Sequence, residues 1–227
     1  AYADQYRAYF RIYSRCGLPC IAVGADTGMM GGKISHEYMY LSPIGEDTII
    51  MCPECGYTEN RQVAKFKKEY FKEDMKDLEK IATPEAKTIE DLCALLKIDP
   101  KKTAKVVFYV GSFINDKTGE EEDKLVTAVI RGDLEVEENK LSNAIKANGL
   151  RPAHEEEITA YNMVPGFASP IGAKEGFVLC VDETVAYSNN LVAGANEKGY
   201  HYINTNYNRD YKGGIVADIA SARAGFM

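Results

Sequence analysis

The chain has 227 residues, 45% of them apolar, with 34 acidic against 27 basic side chains and a formal net charge of −7. That length can bury one large core or two small ones, while the acidic balance excludes nucleic-acid binding by bulk electrostatics and leaves room only for a small contact. No apolar run approaches the ~18–20 residues of a membrane helix, the opening AYADQYRAYF lacks the apolar stretch of a signal peptide, and six scattered cysteines make no disulfide framework, so the sequence reads as a reduced, soluble, cytoplasmic protein.

In chain order, QYRAYFRIYSRCGL places Tyr6, Tyr9, Phe10 and Tyr13 at helical spacing, with Gly17 set to stop the helix. Strand-like runs follow at CIAVGAD, HEYMYLS and DTIIMC, the first two separated by the glycine-rich turn GMMGGK, so residues 1–62 read as a helix followed by an antiparallel sheet. Residues 63–85 place Val63, Phe66, Tyr70, Leu78 and Ile81 on one face amid alternating lysines and acids, which predicts an amphipathic helical linker. Thr88 with Asp91 then starts a helix that carries Ile89, Leu92, Cys93 and Leu96 on one side. Strands KVVFYVGSF and LVTAVIRG come next, joined by a polar loop. Helices around VEENKLSNAIKA and AHEEEITAY lead to the loop VPGFASPIGAK, and FVLCVDE, VAYSNNLVAGA and YHYINTN read as further strands. This mixture is an α+β pattern.

Few residues offer ordinary catalytic chemistry. Cys52 and Cys55 have the knuckle spacing of a zinc ribbon, but no second Cys-x-x-Cys follows, so they read as half a site and an unmetallated turn. Ser35, His36 and Glu37 enter a strand, where neighbouring side chains point to opposite faces, and adjacency does not make a catalytic pair. The loop around Gly166, with Lys105 and His201, contains no paired carboxylates and no Ser-His-Asp or Cys-His set. Singly, each of the three also reads as ordinary structure. If this unit is hydrolytic, its catalysis must come from positioned backbone N–H groups, a bound water and the substrate's own hydroxyl.

The segment GADTGMMGGKISHEYMYLSPIGEDTIIMCPECGYTEN resembles the part of bacterial-type prolyl-tRNA synthetases that follows class II motif 2. KTIEDLCALL, KKTAKVVFYV, VIRGDLEVEENKL, LRPAHEEEI, VPGFASPIG, VDETVAYSNNLVAGANEKGYHYINTNYNRD and VADIASARAG resemble the YbaK-like editing domain inserted in the same enzymes. The resemblance implies a partial class II catalytic core at 1–62, a linker at 63–85, an editing domain at 86–215 and a return segment at 216–227. It also implies a mixed, β-barrel-like editing domain surrounded by helices, beside a partial class II antiparallel sheet.

The function implied is hydrolysis of alanine wrongly esterified to proline tRNA, with the tRNA(Pro) acceptor end as partner and a homodimeric parent. Carried over by position, Lys105, Gly166, Pro170 and His201 would be catalytic. Phe167, Ala168, Ser169, Asp182, Gly194 and Asn196 would line the editing pocket. Ser35, His36 and Glu37 would be a remnant of the proline site, and no metal would be held. Editing would need no cofactor, whereas ligation by the parent would use ATP and Mg. On the same resemblance the chain starts beyond the motif 2 arginine and stops before motif 3, so ligation is not expected of it alone. Its end lies where the family continues toward a second cysteine pair. Lys33, Glu137 and His154 depart from the family's usual serine, asparagine and threonine. The alternatives are an insertion that orients tRNA without editing, and an interaction module organised by zinc.

Overall fold

A computed structural model describes residues 1–28, 31, 32, 34–86, 88–115 and 118–226. Lys33 therefore lies outside the described residues, as do two methionines of the glycine-rich turn. The chain divides into two units, residues 1–67 with 221–227, and residues 68–220. No helix among the described residues is long and apolar enough to cross a membrane.

In the first unit, helix α1 (Tyr2–Arg15) has no fully buried residue. It is held through its aromatic side chains. Tyr38, on strand β2 (His36–Tyr40), has ring centroids within 5.0–5.8 Å of Tyr6, Tyr9, Phe10 and Tyr13, and donates its hydroxyl to the Tyr6 carbonyl at 2.8 Å. Together with β1 (Cys20–Gly24), β3 (Ile49–Met51) and β4 (Thr58–Asn60), β2 forms a sheet of order β2-β1-β4-β3. The β1–β4 contact is parallel, so the expected antiparallel sheet is only partly realised.

The helical linker expected at 63–85 does not form. Residues 64–78 have no regular secondary structure, and β5 (Glu79–Ala82) follows. Local pattern loses here to tertiary hydrogen bonding. The Phe71 N–H donates to Ser188 Oγ, the Lys76 N–H donates to Asn190 Oδ1, and the carbonyls of Asp74 and Asp77 accept from Asn190 and Asn204. These side chains, more than a hundred residues away in sequence, take the place of the intrahelical ladder.

Helix α2 (Ile89–Leu96) starts at the expected Thr88–Asp91 pair, whose side chains and backbone N–H groups bond reciprocally. Strands β6 (Ala104–Ile114) and β7 (Glu121–Arg131) form a long antiparallel hairpin. Then come α3 (Glu138–Ile145), β8 (Gly149–Pro152), α4 (Glu155–Thr159), β9 (Val178–Asp182), α5 (Glu183–Ala186), β10 (Leu191–Gly194), β11 (Tyr200–Thr205) and β12 (Ile215–Ala217). Glu183, Val185 and Ala186 had read as strand. Asp182 turns them into a helical turn by accepting from the Thr184 N–H at 2.8 Å. Glu137 and His154 stand at the starts of α3 and α4.

The sheets are ordered β12-β9-β7-β6-β8 and β10-β11-β5, and neither closes into a barrel. The expected barrel-like form is thus corrected to two open sheets. Among the described residues only the isolated bridge Thr103–Val192 joins them, too little pairing to continue a ladder round a cylinder. Their apolar faces meet in a core of Ala104, Val129, Leu179, Val181, Val185, Leu191 and Ala193.

Candidate functional site

The start of β6, the approach to α2, the loop after Met163 and the β10–β11 pair surround a cavity of about 250 Å³. Its walls are apolar, from Ala86, Ile89, Leu92, Ala104, Val106 and Ala168. Its chemical groups come from Thr88, Lys105, Gly166, Gly194 and His201.

The loop's geometry follows from its sequence. Gly166 holds φ +81, a left-handed conformation that costs glycine little. The Phe167 N–H turns back to the Val164 carbonyl at 2.9 Å, and the Phe167 carbonyl accepts from the Asn196 N–H at 2.8 Å. The Ser169 N–H donates to Asn196 Oδ1 at 3.1 Å. Among the described residues, the N–H groups of Gly166 and Ala168 have no intramolecular acceptor, and both residues line the cavity. The loop lies directly on β10. A Cβ at Gly194 would sit 2.2 Å from the Phe167 carbonyl carbon and oxygen, so only glycine allows this approach.

His201 pairs across from Gly194 on β11 and is 6% exposed. Its Nδ1 lies 2.6 Å from the hydroxyl of Thr83, and its ring packs 5.6 Å from that of Phe167. Burial pushes the His201 pKa below its ordinary 6.5, so the imidazole is neutral at pH 7. Lys105 Nζ pairs with Glu135 Oε1 at 2.7 Å, and the glutamate side chain is 73% exposed.

The structure therefore brings Lys105, Gly166, Ala168, Gly194 and His201 together around one hollow, with Phe167 against the histidine. Ser169 and Asn196 bond to each other behind the loop and do not line the hollow. The Ser169 hydroxyl is buried without a hydrogen-bond partner, so no base activates it. Pro170 lines a separate depression of about 460 Å³ with Ala173, Phe177 and Tyr211.

Asp182, expected beside the pocket, is elsewhere. Fully buried, its carboxylate caps α5, accepts from the Ile219 N–H at 3.0 Å and pairs with Lys68 at 3.0 Å. Asp182 does not line this cavity, and its oxygens are engaged in structural bonds. Lys68 also reaches Asp218 at 2.8 Å, and these two aspartates outweigh burial and raise its pKa. Lys140 shares Asp218 at 3.2 Å, but burial dominates there and lowers its pKa.

Sequence reasoning missed Thr83 and Glu135, the partners of His201 and Lys105. A threonine in ATPEA and one glutamate in an acidic run carry no local signal.

In the first unit, His36 Nδ1 lies 2.7 Å from the Tyr2 hydroxyl, the Ser35 carbonyl accepts from the Ala25 N–H, and Glu37 is exposed. Cys52 and Cys55 form a turn in which bonds from Cys55 and from the Glu54 N–H hold the Cys52 thiol below its ordinary pKa. Among the described residues no three His, Cys, Asp or Glu side chains gather to hold a metal.

The profile of the aminoacyl-tRNA editing domain matches residues 83–210. Over 226 residues the chain is 44% identical to a proline–tRNA ligase of Dehalococcoides mccartyi (strain 195), and over 225 residues 45% identical to that of Salinispora tropica. Each comparison covers 99% of this chain and 38% of the relative, so the chain spans well under half the length of these enzymes. A crystal structure of a candidate trans-editing enzyme for prolyl tRNA synthetase superposes with TM-score 0.50 at 15% identity. It covers 64% of this chain and 87% of that one, a likeness of fold alone.

Proposed function

The chain belongs to the aminoacyl-tRNA editing domain family, and from that membership we propose that it hydrolyses the ester of alanine mischarged onto proline tRNA, within a longer ligase. The observation that carries this reading is the convergence of Lys105, His201, Gly166 and Ala168 on one hollow of about 250 Å³, the last two having no intramolecular acceptor for their N–H groups among the described residues. A cavity below the ~300–1,000 Å³ of drug-sized pockets suits a small side chain. A synthetic site built for proline rejects a smaller apolar amino acid only weakly, by about 1–3 kcal/mol per methylene, so a second, smaller site is the physical remedy.

In this mechanism water attacks the ester carbonyl carbon, the oxyanion that forms is held by the loop N–H groups, and the bond to the ribose oxygen breaks as that oxygen takes up a proton. The ribose hydroxyl assists the attacking water. Neutral His201, fixed by Thr83, positions the aminoacyl group, and Lys105 exchanges Glu135 for the backbone or ester of the acceptor end. The products are alanine and the free tRNA. No side chain forms a covalent intermediate, and the step uses no cofactor. ATP and Mg would serve ligation by the parent. No step of this hydrolysis is routed through either group.

The test is incubation of the chain with alanyl- and prolyl-esters of a proline tRNA transcript. The alanyl ester is lost faster, and Lys105→Ala lowers that rate while the circular dichroism spectrum and unfolding midpoint stay near those of the parent. Equal loss of both esters, or none above the uncatalysed background, overturns the reading and favours an insertion that only orients tRNA.

A further inference from the structure

We propose that Asn196 is a positioning residue of this site, setting the 166–171 loop so that the Gly166 and Ala168 N–H groups, and no others of the loop, are presented to the cavity; this rests on the hydrolytic reading above. The resemblance placed Asn196 among the residues that bind substrate, and its hydrogen bonds commit both of its side-chain donors to the loop. Its Oδ1 accepts from the Ser169 N–H at 3.1 Å, and its Nδ2 donates to the carbonyls of Ser169 at 2.8 Å and Ile171 at 2.9 Å. A side-chain amide has two N–H donors, and both are used. The opposite orientation of the amide would set its oxygen against two carbonyl oxygens, so the partners fix which end is which.

The backbone adds a fourth tie, from the Asn196 N–H to the Phe167 carbonyl at 2.8 Å. Asn196 itself holds φ +51, a left-handed conformation that asparagine tolerates and most residues avoid. Both its conformation and its side chain therefore serve the loop. With the Ser169 N–H taken by Asn196 and the Phe167 N–H by Val164, the two loop amides bordering the hollow without an internal acceptor are those of Gly166 and Ala168.

Two variants test this in the full chain. Asn196→Gly keeps the left-handed backbone and removes the side-chain ties, and Asn196→Asp keeps an acceptor for the Ser169 N–H while facing a carboxylate against two carbonyls. Amide hydrogen exchange across residues 166–171 is read by NMR, beside kcat and KM for the alanyl ester of the tRNA transcript. Both variants should lose protection at the Ser169 N–H or its neighbours and lower kcat roughly 10- to 100-fold, as misplaced catalytic geometry does, with KM within about twofold. Unchanged exchange in Asn196→Gly overturns the proposal, as does a rise in KM alone, which marks a ligand contact. If the parent chain hydrolyses neither ester, the functional reading has failed, and the exchange result alone decides the role of Asn196.

Discussion

Gly194→Ala tests whether the loop's seat on β10 makes the site. An added Cβ would lie 2.2 Å from the carbonyl carbon and oxygen of Phe167 and 2.6 Å from the Ala168 nitrogen. Carbon atoms prefer about 3.5–4.0 Å, so the loop must withdraw by roughly 1 Å or more. All three atoms belong to the main chain, and no rotamer change relieves them. Asn196 also ties the same loop at 2.8–3.1 Å, so withdrawal stretches those bonds. Overpacking of this kind costs about 1–3 kcal/mol of stability. A shift of ~1 Å in catalytic groups costs about 100-fold in rate, or about 2.7 kcal/mol of barrier. A control away from the cavity is Gly214→Ala, whose Cβ would meet the Leu179 carbonyl oxygen at 2.5 Å and whose φ of +75 adds backbone strain, while Gly214 does not line the cavity. Urea unfolding should show both variants destabilised, while alanyl-ester hydrolysis, measured well below either midpoint, falls about 100-fold in Gly194→Ala alone. Hydrolysis by Gly194→Ala at the parent rate would refute the idea that the loop's placement carries the chemistry.

Two other outcomes follow from the buried ionisable groups. His201 binds a proton less readily folded than unfolded, so the unfolded chain takes up more protons once the pH drops below about 6.5. Stability is full above that value and is lost as pH falls through the lower folded pKa. Hydrolysis, corrected for background, should decline over the same window, and His201→Gln should flatten the stability profile between pH 5 and 7; an unchanged profile contradicts a buried neutral imidazole. Lys68→Ala leaves buried Asp182 and half-buried Asp218 without the lysine they share, and breaking such a pair costs about 3–5 kcal/mol in urea unfolding. A loss under about 1 kcal/mol would mean that the aspartates are held by Lys140 and backbone donors alone.

What could be read from the sequence was what neighbours in sequence decide. Thr88 and Asp91 are three residues apart and close their own reciprocal bonds, so the start of α2 was evident, as was the β6–β7 hairpin from its two apolar runs. Residues 63–85 were misread for the complementary reason. Their charge pattern is amphipathic, but the donors and acceptors that fix their backbone are Ser188, Asn189, Asn190 and Asn204, which no local window contains. Asp182 was assigned to the pocket by resemblance, while its bonds to Lys68 and Ile219 cross 114 and 37 positions of sequence.

The site was legible to a different degree, because its chemistry is mostly main chain. A backbone N–H has no letter of its own in a sequence, and every residue but proline carries one. What marks the useful ones is the requirement their placement imposes on other positions: a glycine at 166 for the left-handed turn, a glycine at 194 because β10 passes within van der Waals reach of Phe167, and an asparagine at 196 to consume the competing amide of Ser169. These three residues bear no reactive group, and Gly194 read from sequence as part of a strand. The lysine and histidine that did attract notice are each held by a partner, Glu135 and Thr83, that the sequence did not suggest. A site of this kind is thus better sought through small residues that permit close approach than through nucleophiles. The single serine of the loop bears this out, since its hydroxyl is buried with no partner while its amide is what the fold uses.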